Sequence, residues 1–344
     1  VQQQQQQPHT RSARAGAGPP VARAVEQGVR FLLTARSPDG AWRDFQLQPG
    51  VSDSWVTAYV TSCLLRALSS TTGAAVSRST LGPSRDWLRR AVQADGGWAY
   101  NDRCPVDSDS TAHAVLSLSE CGDLVPNVCY ERLLTFQKPD GGFATFDPRT
   151  RHDAWGMSHP DVTPVVLRAL LTRLPLSDPR IRRGLRYVVS QLQPSGTWPS
   201  YWWTTALYST SVNVRLLEQT RTAYDRERVV AAVRALPAQD DPFRSALAGD
   251  ILSHVCPDNS PAGLIGDALV RSQCADGSWR ALKPALRETY SRYREPWAAD
   301  EYVGRSVVDH CHLFTTATVL RFLAGLQAAV TAGDRDGSPS SSQE

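Results

Sequence analysis

A turn that recurs five times constrains this chain more than any other feature. The segments FLLTARSPDGAWRDF (from Phe31), WLRRAVQADGGWAYND (from Trp87), LLTFQKPDGGFATFD (from Leu133), VVSQLQPSGTWPSYW (from Val188) and LVRSQCADGSWRAL (from Leu269) share one plan. In each, a helical stretch ends in Gly and an aromatic ring follows within two residues, at Trp42, Trp98, Phe143, Trp198 and Trp279. A sixth segment, VVAAVRALPAQDDPF, keeps the helix and has lost the Gly-aromatic end. Units that repeat in this way cannot bury an apolar face alone, so they stack on their neighbours. Gly supplies the positive φ at the helix end. The preceding Gln93, Gln137, Gln193 and Gln273 can hydrogen-bond exposed helix termini and tie units together. These residues are expected to be structural, not catalytic.

A second set of helical stretches alternates with the first. They start at Asp53 (DSWVTAYVTSCLLRAL), Asp107 (DSDSTAHAVLSL), His159 (HPDVTPVVLRAL), Tyr208 (YSTSVNVRLLEQ), Asp241 (DPFRSALAGDIL) and His312 (HLFTTATVLRFLAGL). Each opens on small polar residues and turns apolar, as helices lining an interior do. Six outer and six inner helices predict an all-α fold, an (α/α)6 barrel over residues 21–330. Residues 1–20, with their Gln run, and residues 331–344 have the low-complexity composition of disordered tails.

Composition narrows the function classes. A net charge of +3 without a Lys/Arg run speaks against a nucleic-acid partner. No apolar run approaches the roughly 18–20 residues of a membrane span, and the first residues lack a signal-peptide pattern. Seven cysteines form no CxxC pair, which suits reduced thiols in a cytoplasm. Ten tryptophans accompany one methionine. Four of them occupy the repeated turns, which leaves the others to be explained.

The stretch VDSDSTAHAVLSL, Val106 to Leu118, stands out within the second helix set. Read alone, Asp107, Asp109, Ser110 and Thr111 form a helix N-cap region, since their oxygens can accept the free N–H groups of a first turn. Together with five Gln…Gly-aromatic ends in register, however, the stretch resembles the squalene/oxidosqualene cyclase and protein-prenyltransferase β-subunit superfamily. The likeness covers nearly all of residues 20–330. Asp107-x-Asp109 resembles the DxDDTA acid motif of class II terpene cyclases. Ser108-Asp109-Ser110-Thr111-Ala112 resembles the SDCTA form, with Ser in the Cys place. The match departs from the first motif at Ser110, which replaces its last carboxylate, and from the two-barrel enzymes in having one barrel. The resemblance implies a single-barrel class II cyclase of a linear prenyl chain, free or on an aromatic head, with Asp109 as the general acid. It also implies no metal or other cofactor and a contact with membranes, for which the sequence shows no anchor.

That chemistry makes demands the sequence can be searched for. Protonating an alkene or epoxide needs a carboxylic acid still protonated near neutral pH. Burial of Asp109 and the nearby Asp107 would both raise its pKa. A donor on its second oxygen would hold the proton in the more reactive orientation, and His159 is a candidate. Carbocations need aromatic faces, each worth about 0.5–2 kcal/mol when desolvated. Trp55, Trp155, Trp203, Tyr208 and Phe314 lie close to inner-helix heads and are the selected lining. Trp297 and Tyr302 fall in the same wider group.

Two other readings remain open, and the class I one fails. A prenyltransferase β-like subunit would use zinc, and Asp309-x-Cys311 offers two ligands, but no His follows His312 in the family's order. Class I terpene synthesis would need an acidic metal cluster, and the adjacent pair Asp240-Asp241 continues as Pro-Phe. A non-catalytic prenyl or lipid carrier could use the same barrel, but would have no need of an acid at Asp109.

Overall fold

The computed structural model describes residues 19–71, 74–236, 240–256, 260–298 and 304–336. In chain order its helices are α1 (Pro19–Thr34), α2 (Ser54–Thr71), α3 (Ala74–Thr80), α4 (Gly82–Ala91), α5 (Ser108–Glu120), α6 (Asn127–Leu134), α7 (Thr163–Leu170), α8 (Pro179–Ser190), α9 (Ala206–Thr220), α10 (Arg226–Arg234), α11 (Pro242–Val255), α12 (Ser260–Arg271) and α13 (Leu313–Asp336). Helices α2, α5, α7, α9, α11 and α13 pack each on the next, and α13 closes back on α2. Helices α1, α4, α6, α8, α10 and α12 pack outside this ring, with the short α3 as an extra. The fold is the expected (α/α)6 barrel, and the inner helices begin within a few residues of the six predicted heads.

The repeated turn explains why the ring closes. The indole N–H groups of Trp42, Trp98, Trp198 and Trp279 each donate to the carbonyl ten residues earlier, at Leu32, Leu88, Val188 and Leu269, over 2.7–2.9 Å. The backbone N–H of every repeat aromatic donates to a Thr hydroxyl in or beside the first turns of the next inner helix: Thr57, Thr111, Thr163, Thr210 and Thr316. Each unit is thus bonded both to its outer helix and to its inner one. The turn glycines take φ between +84° and +100°. A Cβ on Gly141 would lie 2.4 Å from the Arg183 carbonyl oxygen of α8, and one on Gly277 2.5 Å from that of Gln27 in α1. Gly is required there both for its backbone and for the approach of the next unit. Gln137 and Gln273 act as predicted, donating to Arg180 O at 2.9 Å and Ala24 O at 2.9 Å of the next outer helix. Gln193 instead reaches Gln191 O within its own turn.

Two features depart from the sequence reading. Two small antiparallel hairpins interrupt the helices: β1 (Asp44–Leu47) with β2 (Gly50–Ser52), and β3 (Leu286–Thr289) with β4 (Gly304–Val307). Strands this short carry no period the sequence could show, and they are held by tertiary contacts. Glu288 Oε1 accepts Gln48 N–H at 2.6 Å, and Arg305 donates to Gln46 O at 3.0 Å, so the hairpins lean on one another. The last helix also continues to Asp336, past the boundary drawn at residue 330. The Ala-rich run after Leu326 sustains it. Residues 1–18 and 337–344 lie outside the described residues.

Candidate active site

The heads of the inner helices and the two hairpins enclose a cavity of about 730 Å³. Its lining includes Asp107, Asp109 and Ser110 from the start of α5, together with Trp55, Trp155, Trp202 and Trp203. Leu47, Pro49 and Leu286 of the hairpins complete the lining.

The first turn of α5 gives its two carboxyl groups opposite settings. Asp107 is the N-cap, with φ −124° and ψ 157°. Its Oδ1 accepts Ser110 N–H and its Oδ2 accepts the Ser110 hydroxyl, both at 2.7 Å. Ser110 therefore braces Asp107 rather than Asp109. Burial still pushes Asp107 up to about 6, against the pull of these bonds. Asp109, two residues on, turns into the cavity, and its Oδ1 has no hydrogen-bond partner. Burial, and then the charges of Asp107 and Asp161, drive its pKa well above the ordinary carboxylate range.

Asp161 is a carboxyl the sequence reading missed. It precedes α7, is fully buried, and accepts Trp202 N–H through Oδ2 at 2.8 Å. Burial raises it to about 6. His113 is another missed residue. One helical turn below Asp109, its Nε2 lies 3.8 Å from Asp109 Oδ1 and, like that oxygen, has no hydrogen bond. Burial, with Arg321 and Arg168 beyond it, lowers its pKa to about 3, so the ring is neutral. The i, i+4 spacing of Asp109 and His113 was available in the sequence as a signal.

No family model matches the chain. A drimenyl diphosphate synthase from Streptomyces showdoensis is 27% identical over 188 residues, which are 50% of this chain and 30% of that protein. The chain therefore spans under a third of that relative's length. Among solved structures, a variant of the type II terpene cyclase MstE from Scytonema, in complex with geranylgeranyl dihydroxybenzoate as substrate, superposes with a TM-score of 0.76. The two are 25% identical, over 90% of this chain and 97% of that one. A protein from Actinoplanes gives a TM-score of 0.75 at 26% identity, over 89% of this chain and 99% of that one. Over nearly all of its described length the chain is thus similar in structure to single-barrel type II terpene cyclases.

Within this barrel the predicted aromatic residues separate into two layers. Trp55, Trp155 and Trp203 line the cavity. Tyr208 and Phe314 stand behind them: Tyr208 stacks on Trp203 with centroids 3.8 Å apart, and Phe314 stacks on Trp55 at 5.0 Å and on Tyr59 at 3.9 Å. Sequence spacing places all five at helix heads but carries no depth, so the second layer could not be told from the first. Trp202, Phe146 and Tyr100 join the lining. Trp297 is 38% exposed and lies outside this cavity, and Tyr302 lies outside the described residues.

His159 is not the donor to Asp109 that the sequence suggested. Its Nδ1 meets the Thr145 hydroxyl at 2.7 Å and its Nε2 meets Ala154 O at 2.9 Å. The carbonyl can only accept, so Nε2 donates and Nδ1 accepts from Thr145. Thr145 in turn accepts the Trp202 indole N–H at 2.8 Å. Both ring nitrogens are thus committed to locking the cavity wall, and burial lowers His159 to about 4, keeping it neutral.

Two residues of the rival readings, Asp309 and Asp241, serve as helix caps. Asp309 accepts Thr315 N–H at 2.6 Å and its hydroxyl at 2.9 Å, which caps α13, while Cys311 is exposed. Asp241 caps α11 through Arg244 N–H, whereas Asp240 pairs outward with Lys283. Among the described residues, no group of three His, Cys, Asp or Glu side chains is placed to hold a metal, and no helix is long and apolar enough to cross a membrane.

Proposed function

We propose that this protein cyclises a linear prenyl chain by protonating its terminal alkene or epoxide, with Asp109 as the general acid. The observation that carries the reading is Asp109 itself: a carboxyl with an unpaired oxygen, aimed into a cavity walled by indoles and pushed towards its protonated form. A non-catalytic carrier has no use for such a group. Asp107 and Asp161, each held by backbone N–H donation, are ionised at neutral pH and oppose a third negative charge beside them. Asp109 keeps its proton until an alkene or oxirane arrives to take it.

The remaining roles follow from position. His113, neutral and unpaired, takes the part first sought in His159: a small side-chain rotation brings its N–H onto Asp109 Oδ1, leaving the proton on Oδ2 for transfer. Trp55, Trp155 and Trp203 offer π faces to the travelling cation. His159, Thr145 and Trp202 hold the wall that excludes water. The acid and the aromatic faces are supplied by the chain, so the reading invokes no cofactor. It includes a single barrel domain, a prenylated small molecule as ligand and a cytoplasmic setting, supported by seven free cysteines. Collection of so apolar a substrate from a membrane surface belongs to the same proposal.

The test is product analysis by mass spectrometry after incubation with prenyl diphosphates, prenylated aromatic acids and terminal epoxides. Wild type should yield an isomer of unchanged mass and altered retention, and Asp109→Asn should not. Equal turnover by both would remove Asp109 from the mechanism.

A further inference from the structure

The geometry points to Arg321 as a positioning residue: its fixed positive charge, held against the Tyr59 ring on which His113 packs, keeps the reactive proton on Asp109 and off the imidazole. This rests on the cyclase reading above. Asp109 Oδ1 and His113 Nε2 lie 3.8 Å apart, and neither atom has a hydrogen bond. Such a pair can hold its proton in two ways. With the proton on the carboxyl, both groups are neutral and Asp109 is an acid. With the proton on the imidazole, the two form an ion pair that attracts at this distance, and an ionised Asp109 cannot protonate an alkene. The chemistry therefore needs a feature that penalises the ion pair.

Charges of opposite sign flank the two groups. Asp107 and Asp161 act on Asp109 and oppose its ionisation. Burial is the first influence that keeps His113 neutral, and Arg321 and then Arg168 add to it. An ion pair would set its negative end among carboxylates and its positive end among guanidinium groups, the least favourable way round. The groups facing the imidazole are Asp109 of α5 itself, Tyr59 of α2 with ring centroids 5.6 Å apart, Arg168 of α7 and Arg321 of α13. The outer helices α4 and α6, also packed on α5, add no charge to it among the described residues.

The two arginines are not equivalent. Arg168 is committed, with Nη2 3.6 Å from Glu120 Oε1 and Nε donating to Gln219 Oε1 at 3.2 Å. Arg321, two turns along α13 from Phe314, has no carboxylate within ion-pair distance among the described residues, and its Nε is buried without a partner. Asp250 acts on it from further away and is already held by Arg215 and Ser211. The Arg321 guanidinium carbon lies 5.2 Å from the centre of the Tyr59 ring. Tyr59 is fixed in turn by a 2.8 Å hydrogen bond between its hydroxyl and that of Thr318, and by stacking on Phe314. A cation without a close counter-charge costs stability; opposing a charge on His113 is the role that its place supports.

The experiment reads His113 directly, through its ring 15N shifts by NMR at neutral pH, alongside turnover of the substrate that wild type cyclises. The signals are assigned by their loss in His113→Gln. Wild type should show a neutral imidazole. Arg321→Gln should move the signals towards the imidazolium position and lower kcat about tenfold or more at unchanged KM. Arg321→Lys, which keeps the charge, should leave the ring neutral and kcat within about threefold of wild type. In a His113→Gln background the proton has no second place to go, so adding Arg321→Gln should cost less than about twofold. A merely structural Arg321 would cost the same in both backgrounds. The proposal is overturned by an imidazolium at His113 in wild type, by unmoved signals in Arg321→Gln, or by equal losses in the two backgrounds. Should Arg321→Gln fail to fold, a neutral ring in both wild type and Arg321→Lys supports the proposal and a charged ring in either overturns it. Cyclised product from wild type together with a charged His113 would sink this proposal alone. A neutral ring that becomes charged in Arg321→Gln, without product from wild type, would sink the cyclase reading and keep the placement of the proton.

Discussion

Asp109 and Asp250 are both carboxyl groups inside one barrel, and the structure drives them in opposite directions. Asp109, at the head of α5, has an unpaired oxygen and two acidic neighbours, and its pKa rises well above the usual range. Asp250, further along α11, meets Arg215 at 2.7 Å and accepts the Ser211 hydroxyl at 2.8 Å. Arg215, His254 and Arg321 outweigh its burial and hold it far below the usual range. Burial alone does not decide the protonation of a carboxyl; the company it keeps does. One end of the lumen is assembled to keep a proton, the other to keep a charge balanced. The end of the lumen that holds Asp109 leaves Asp109 Oδ1, His113 Nε2, Trp55 Nε1 and Tyr208 OH without partners, which is costly for folding.

The largest expected effect falls on the reactive end. Asp109→Asn should abolish cyclisation, a loss of about a thousandfold or more, since no other group supplies the proton. The same substitution should raise the melting temperature. A carboxyl whose folded pKa exceeds its unfolded one favours the folded state below the unfolded pKa, and loses that advantage as pH rises towards the folded pKa. At pH 7 the wild-type chain must take up a proton at Asp109 on folding, a cost that Asn avoids. The gap in melting temperature between variant and wild type, followed calorimetrically, should therefore widen from pH 5 to pH 7. A constant gap would contradict a raised pKa at Asp109.

The opposite substitution sharpens the contrast. Asp250→Asn leaves Arg215 buried without its counter-charge and should destabilise the fold by about 3–5 kcal/mol in denaturant titration. Turnover per folded molecule should stay close to wild type. If it fell as far as in Asp109→Asn, the two ends of the lumen would not be separate devices.

A smaller effect is expected at Asp107. Asp107→Asn removes a neighbouring negative charge, so the basic limb of the pH–rate profile should move down by about one unit. An unmoved limb with a uniformly lower rate would leave Asp107 as a helix cap and no more. His113→Gln, which retains a donor, should cost less in kcat than His113→Phe, about tenfold for the latter, with little change in KM. Trp155→Phe and Trp55→Phe should show the smallest losses, severalfold each. Tyr208→Phe, in the second layer, should show less still.

The barrel was legible because its signal is repeated. Five Gly-aromatic turns and six apolar helices with polar heads gave the element order and the inner ring, and the degenerate α10 unit was placed by its helix alone. The tie between each turn aromatic and an inner-helix Thr is also written in the sequence, at Thr57, Thr111, Thr163, Thr210 and Thr316, and went unread because one Thr among small polar residues looks like any cap. At the site, Asp109 was found from its motif, but its neighbours were not. Asp161 lies far from Asp109 in the chain, within a stretch that reads as a plain helix head. His159 looked available because nothing in the sequence shows that Thr145 and the Ala154 carbonyl occupy its ring. The hairpins that line the cavity are set by long-range contacts, which local patterns do not carry.

The central claim is that the proton on Asp109 starts the reaction, and deuterium tests it most directly. Wild-type protein incubated in D2O with an alkene-terminated substrate identified as above should give a cyclised product carrying one deuterium on the carbon that accepted the proton, located by mass spectrometry and NMR, with no product from Asp109→Asn. A cyclised product free of deuterium, or the same labelled product from Asp109→Asn, would contradict it.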